Sequence, residues 1–393
     1  MRGTIRLGDV RTEAEPVPQR HHQELAMSLH ITGMIWARPT SDLEVQEGPA
    51  FQPDFINHIT RLHEEGGFDR VLAGYWTNAA DGFLVVAQAA TAVKRLNFLL
   101  AHRPGFVSPT VAARKLATLD QLTGGRLALH VISGGEDGDQ RKDGDHEGHE
   151  ARYRRTDEFL DILRRIWTAE KPIDHAGEFY RFEQAWSDIR PVQKPYLPIF
   201  FGGASDIALR VAARHADVYA LFGEPLAETQ AMLDRVRAAS SGDHVPAFSW
   251  SNRPIIAATE KQAWEKAQDY RRRAIAKLEI SGTQGLIAAG QAVNSQRLVA
   301  LSQRGEVLDE RLWTAMAGVL GGRGNSTALV GTAEQVARSL LRYRRIGVAH
   351  FILRGWDPLP DAAQYGRELI PLLRELAQAE DVGRVSVSLH TAA

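Results

Sequence analysis

The sequence predicts an α/β fold: a (β/α)8, or TIM, barrel with insertions after its fourth and seventh strands. Three observations predict it. Short apolar runs alternate with longer helical patterns eight times, and such alternation implies parallel strands joined by helical crossovers. The eight units occupy about 350 residues, and ~250 suffice for the bare barrel, so insertions fit. The competing fold, an open doubly wound sheet, usually carries a glycine fingerprint after its first strand. Here that strand ends in Trp36-Ala37-Arg38-Pro39-Thr40, without one.

In order, residues 28–35 (SLHITGMI) read as strand one and 55–66 as a helix. Strand two is 70–75 (RVLAGY), followed by a helix at 83–91. Strand three is 95–102 (RLNFLLAH), with a helix at 109–120. Strand four is 127–132 (LALHVI), and the helix at 153–167 is strongly periodic. Strand five is 199–201, with a helix at 205–214. Strand six is 217–222, with a helix near 226–239. Strand seven is expected over 247–257. Strand eight is 350–353, and a helix follows near 362–377.

Two insertions stand out. Residues 134–150 (GGEDGDQRKDGDHEGHE) are polar and glycine-rich and follow strand four. Barrel active sites form at that face. Residues 260–331 separate strands seven and eight. They hold expected helices at 261–278 and near 309–319, with a stretch rich in glycine and alanine at 281–292. They form either a lid or a helical decoration. Residues 1–26 are polar and irregular and read as a flexible N-terminal extension, or as an arm against a partner subunit. One barrel then spans 27–380, with a C-terminal tail at 381–393.

Composition narrows function. Lys+Arg is 47 and Asp+Glu 48, so the net charge is -1. Nucleic-acid and anionic-membrane surfaces need a basic excess, so neither partner is expected. No run approaches the ~20 apolar residues of a membrane span. No apolar core of a signal peptide is present, and a cytoplasmic location is expected. The 393 residues contain no cysteine. Disulfides, thiolate metal sites and a cysteine nucleophile are thereby excluded.

The barrel rule directs attention to residues just past the strand ends. These are rich in aromatics, arginines and glycines and poor in acids. No carboxylate pair suits a glycosidase, and no G-x-S-x-G elbow occurs. The run Asp143-Gly144-Asp145-His146-Glu147-Gly148-His149-Glu150 lacks metal-binding spacing and reads as a solvated, mobile loop; no metal site is expected. Gly202-Gly203-Ala204-Ser205-Asp206 is more telling. It is either a phosphate-binding helix start or a tight turn capped by serine. A chain with such parts borrows its chemistry, and a barrel mouth lined by aromatics and glycines suits a planar phosphorylated cofactor. The residues alone do not choose which.

Several stretches together resemble a known family. They are Arg103-Pro104, Ser108-Pro109-Thr110-Val111-Ala112-Ala113-Arg114, Ala117-Thr118-Leu119-Asp120-Gln121-Leu122-Thr123-Gly124-Gly125-Arg126, Phe201-Gly202-Gly203-Ala204-Ser205-Asp206, Gly223-Glu224-Pro225 and Thr327-Ala328-Leu329-Val330-Gly331. The chain resembles the bacterial luciferase-like flavin-dependent monooxygenases, in particular the FMNH2-dependent alkanesulfonate monooxygenases. The resemblance implies a two-component enzyme, usually a homodimer or homotetramer. A separate NAD(P)H-dependent flavin reductase supplies reduced FMN, and O2 reacts at flavin C4a to give a peroxide. In the alkanesulfonate branch that oxidant cleaves a C–S bond, releasing sulfite and an aldehyde. A small organosulfur substrate is therefore implied. Relatives of the same fold transfer hydride with the deazaflavin F420, and a flavin-binding protein without turnover is a third possibility.

The resemblance also places residues. It puts the FMN phosphate near Gly203, Ala204, Ser205 and Tyr153, the last in His149-Glu150-Ala151-Arg152-Tyr153. It puts the isoalloxazine near His102, Ser133 and Gly134. Substrate would meet Trp36, Asn78, Phe222, Arg354 and Trp356. Arg253, Ser251 and Arg323 would carry catalysis, with Arg253, Arg323 and Arg354 converging on an anionic group. Departures from the branch are several. Its Arg-x-His on strand seven is Ser251-Asn252-Arg253 here, and its strand-two cysteine is Ala79. A tryptophan becomes Phe222, a tyrosine becomes Trp356, and a basic loop position falls at Gly322 beside Arg323.

Overall fold

The computed structural model describes residues 28–240, 244–282 and 290–391, with side chains as far as Gly383. Its centre is a closed barrel. The barrel strands are β1 (His30–Ile35), β2 (Arg70–Ala73), β3 (Asn97–His102), β4 (Leu127–Val131), β7 (Ile199–Gly202), β8 (Val218–Leu221), β9 (Ala247–Asn252) and β14 (Val348–Leu353). They close in the order β1-β14-β9-β8-β7-β4-β3-β2, every neighbour parallel. All eight lie where the apolar runs place them. Helices follow the strands, as a parallel sheet with crossovers requires.

Alternation along each strand separates two cores. Leu99, Ala128, Phe200, Val218 and Ala247, with Leu72, fill the lumen. The opposite faces, such as Phe98, Leu100, Leu129, Phe201, Tyr219 and Trp250, pack against the helices. The lumen is not wholly apolar. His350 stacks on His30 at 4.5 Å and meets Phe200 edge-on at 5.6 Å. Local signals set the helix ends. Pro109 opens its helix and Gly124, left-handed at φ 67, ends it.

The structure also corrects several expectations. Strand seven stops at Asn252, because Pro254 has no N–H for the ladder. The chain resumes as β10 (Ile255–Ile256), which pairs with β13 (Ala328–Gly331) in a separate sheet. The helix expected near 309–319 is instead β12 (Leu312–Trp313) and a short helix, Ala315–Leu320. β11 (Val307–Leu308) completes that sheet.

Segment 260–331 has its own core, in which Ala263, Ala267, Tyr270 and Trp313 pack with Leu43, Ile255 and Trp356. Of its glycine- and alanine-rich stretch, residues 283–289 lie outside the described residues, as do 1–26.

Further elements escaped the sequence. They include a hairpin of β5 (Ile173–Ala176) and β6 (Arg181–Ala185), helices Asp137–Lys142 and Val293–Arg304, and helix Ala333–Arg345, which opens on a capping box of Thr332 and Gln335. The last helix is also longer than expected. Ile370–Thr391 runs into the stretch read as a tail, after a π turn at Tyr365–Leu369.

Candidate active site

The barrel mouth lies at the strand C-termini, and the glycine turn after β7 dominates one side of it. Gly203 has φ 147, and a Cβ there would lie 2.7 Å from Ala208 Cβ and 2.8 Å from Tyr153 Oη. Only glycine fits such a place. Ser205 caps helix Asp206–His215, accepting from Ala208 N at 3.4 Å, and its side chain lies beside Tyr153. Tyr153 comes from helix His149–Thr168 and is buried, which pushes its phenol up. Four of the sequence-predicted residues, Tyr153, Gly203, Ala204 and Ser205, are therefore brought together.

Gly134, after β4, has φ 90, and a Cβ there would collide with the Gln140 amide. Gln140 was not foreseen. It lies on helix Asp137–Lys142 and is fully buried, yet neither amide atom has a partner among the described residues. A buried unpaired amide calls for a ligand or water. Side-chain contacts also tie the polar stretch 134–150 down, including part of the run 143–150 read as a mobile loop. Asp139 binds Arg103 at 2.8 Å, and Thr77 donates to it at 2.8 Å. Asp145 is buried against Arg155.

His102 departs from expectation. Its ring lies 5.7 Å from Phe83 and 5.5 Å from Phe159, on the face of β3 that meets the helices rather than the lumen. Period-two alternation with Phe98 and Leu100 sends it there. Burial, with Lys115 nearby, pushes its imidazole down to about 4. Ser133 likewise turns to a helix, sharing a 2.9 Å hydrogen bond with Thr156.

Two of the three arginines expected to converge, Arg253 and Arg354, do so, but around an internal acid. Arg253 is 1% exposed, sits over the Trp356 ring at 3.5 Å, and donates to Asp42 and to Gly355 O at 2.9 Å. Arg354 donates to Asp42 at 2.9 Å and Gly324 O at 3.2 Å. Burial would raise the Asp42 carboxyl, but the two guanidinium charges outweigh it and hold it at about 2. Arg253 is thus a paired, buried cation and not a free substrate-facing one. Arg323 stays outside this cluster, 3.4 Å from Glu136. Trp356 is fully buried, so it offers substrate no surface.

The remaining residues have clear positions. Ser251 accepts from Asn325 Nδ2 at 3.1 Å, and Gly223 N donates to Asn325 Oδ1 at 2.8 Å. This latch ties the long insertion to β9. Trp36 stacks on Trp76 at 5.0 Å. Asn78 is exposed after β2. Phe222 borders a small cleft with Leu221 and Asn294. A larger cleft of about 330 Å³, between Arg114 and Trp186, involves none of the predicted residues. Among the described residues, no helix is long and apolar enough to cross a membrane.

The profile of the luciferase-like monooxygenases matches residues 31–350. The chain belongs to that family. It is therefore an oxidoreductase of the flavin-dependent monooxygenase type. Solved structures agree on the fold. A riboflavin lyase, determined with modified FMN and riboflavin, superposes with a TM-score of 0.72 at 17% identity, covering 88% of this chain and 92% of its own. A long-chain alkane monooxygenase gives 0.69 at 16%, covering 88% and 91%. An F420-dependent secondary alcohol dehydrogenase gives 0.62 at 16%, covering 88% and 99%.

Proposed function

We propose that this luciferase-like protein is an FMNH2- and O2-dependent monooxygenase, the oxygenating half of a two-component system. One observation carries the phosphorylated cofactor: the cradle of Gly203, Ser205 and Tyr153 at a helix start. Its unpaired N–H groups, the positive end of the helix dipole and two hydroxyls fit a phosphate. Asp206, in the same first turn, is engaged by Arg235 at 3.0 Å. Bound reduced FMN would supply the electrons that activate dioxygen for insertion of one atom into substrate. The protein's part is to grip the phosphate, exclude water and orient substrate. A separate NAD(P)H-dependent reductase would renew the flavin.

The substrate is a small organic molecule entering beside Trp36 and Trp76. An organosulfur compound remains the class the sequence suggests. The Asp42 contacts weigh against its sulfonate members. The test combines purified protein, FMN, a flavin reductase, NADH and a substrate panel under isotopically labelled dioxygen. Label in a product supports the proposal; no substrate-dependent label across the panel rejects it. Fluorescence quenching by FMN and F420 provides the second arm, and tighter binding of F420 would favour hydride transfer instead.

A further inference from the structure

The segment after β1 sets an acid, Asp42, against Arg253 and Arg354. Asp42 N donates to Trp356 O at 2.9 Å, and Leu43 is buried in the core shared with Trp356. The Asp42 carboxylate is therefore anchored from both sides along its backbone. It faces two guanidinium groups, each of which gives it Nη2. Arg253 shares one nitrogen between Asp42 and Gly355 O. Arg354 gives one nitrogen to Asp42 and the other to Gly324 O. Lys277, the third cation near Asp42, donates to Ser41 O at 2.7 Å. Arg273 on the same helix pairs with Glu44.

Strong recognition of a sulfonate or carboxylate by arginine needs two parallel N–H groups from one fork. Asp42 holds Nη2, the nitrogen common to both edges of a fork, on each arginine, and each Nε, though unpaired, is buried out of an incoming anion's reach. An incoming anion would have to evict Asp42, leaving that carboxylate without its cations. Beside Arg354, by contrast, lies apolar surface: its guanidinium is 5.2 Å from the Trp36 ring, and Trp76, stacked on Trp36, is 38% exposed.

We propose that Asp42 makes this mouth selective for uncharged substrates by filling the arginine pair that an anionic substrate would require. The proposal rests on reading the mouth as the oxygenation site. Its test does not need turnover. Hexan-1-ol and hexane-1-sulfonate are titrated calorimetrically against wild-type, Asp42→Asn and Asp42→Ala proteins, and FMN binding is measured in parallel. The wild-type protein should bind the alcohol at least tenfold more tightly than the sulfonate. The variants should bind the sulfonate at least tenfold more tightly than the wild type does, with alcohol binding little changed.

Equal binding of the two probes by the wild type overturns the proposal, as does absence of alcohol binding. Failure of folded variants to gain sulfonate affinity overturns it too. If the variants do not fold, by circular dichroism, the wild-type comparison alone decides. Loss of FMN binding with the charge preference intact would instead remove the monooxygenase reading.

Discussion

The Arg253 guanidinium sits over Trp356, 3.5 Å from the ring centroid, while the indole N–H donates back to the Arg253 carbonyl at 3.0 Å. The two residues hold the end of β9 against the turn after β14. Removing one partner of a buried ion pair typically costs about 3–5 kcal/mol, because the other charge is left uncompensated. Here Arg354 still covers Asp42, so the lower end applies. Arg253→Met should lower the unfolding free energy by about 3 kcal/mol in urea titrations. A loss below about 1 kcal/mol would show that the pair is not structural.

Gly203→Ala tests the phosphate cradle. The substitution forces a side chain into φ 147 and against Tyr153 Oη. Strain of this kind costs roughly 1–3 kcal/mol, and the added methyl also narrows the cradle. FMN affinity, followed by fluorescence quenching, should fall at least tenfold while far-UV circular dichroism stays unchanged. Tyr153→Phe keeps the ring and removes only the hydroxyl. It should lose roughly tenfold, the value of one hydrogen bond to a charged group. Unchanged affinity in both variants would move the phosphate elsewhere.

How far the site was legible follows from sequence distance. The glycine turn and its serine cap are neighbours in the chain, so their roles can be read locally. Tyr153 was located by resemblance, and packing brings it to them. Asp42 could not be read in this way. It meets Arg253 across 211 residues, and no local pattern marks it as a partner. The same limit hid Gln140, an ordinary polar residue in a polar stretch until folding buries it. His102 shows a different failure. Its place at the strand end was right, but counting alternation from Phe98 would have turned it away from the lumen. Helix Ala333–Arg345 does carry a local signal, the capping box of Thr332 and Gln335. The barrel itself was legible because eight apolar runs of strand length each had a helix-length partner.

Asn252 joins β9 to the long insertion. Its side chain accepts from Leu329 N at 2.8 Å and donates to Thr327 O at 3.4 Å, and the residue is fully buried. Asn252→Ala strands a buried backbone N–H, at a cost of about 1–3 kcal/mol. Hydrogen exchange should accelerate at least tenfold in β10 and β13, with β2 and β3 unaffected. Uniform acceleration across the barrel would mean that the insertion and barrel open as one unit.

Buried histidines shape the acid limb of stability. Burial lowers His63, His102 and His130 to about 4, despite the bond from His63 Nδ1 to Ile59 O that favours its charged form. In the unfolded chain all three return to about 6.5. Between pH 6.5 and 4 the unfolded state therefore binds more protons than the folded one. Stability rises with pH across that window, and acidification through it destabilises the fold. Each histidine contributes a slope of up to about 1.4 kcal/mol per pH unit. Asp42 adds its own loss only lower, between its ordinary value and about 2. His102→Phe, in a setting of Phe83 and Phe159, removes one titrating group and keeps an aromatic ring. Urea unfolding at pH 4.5, 5.5 and 6.5 should show the slope reduced by about 1 kcal/mol per pH unit in this variant. An unchanged slope would mean that His102 is protonated in the folded protein, and its place between two phenylalanines would then need another account.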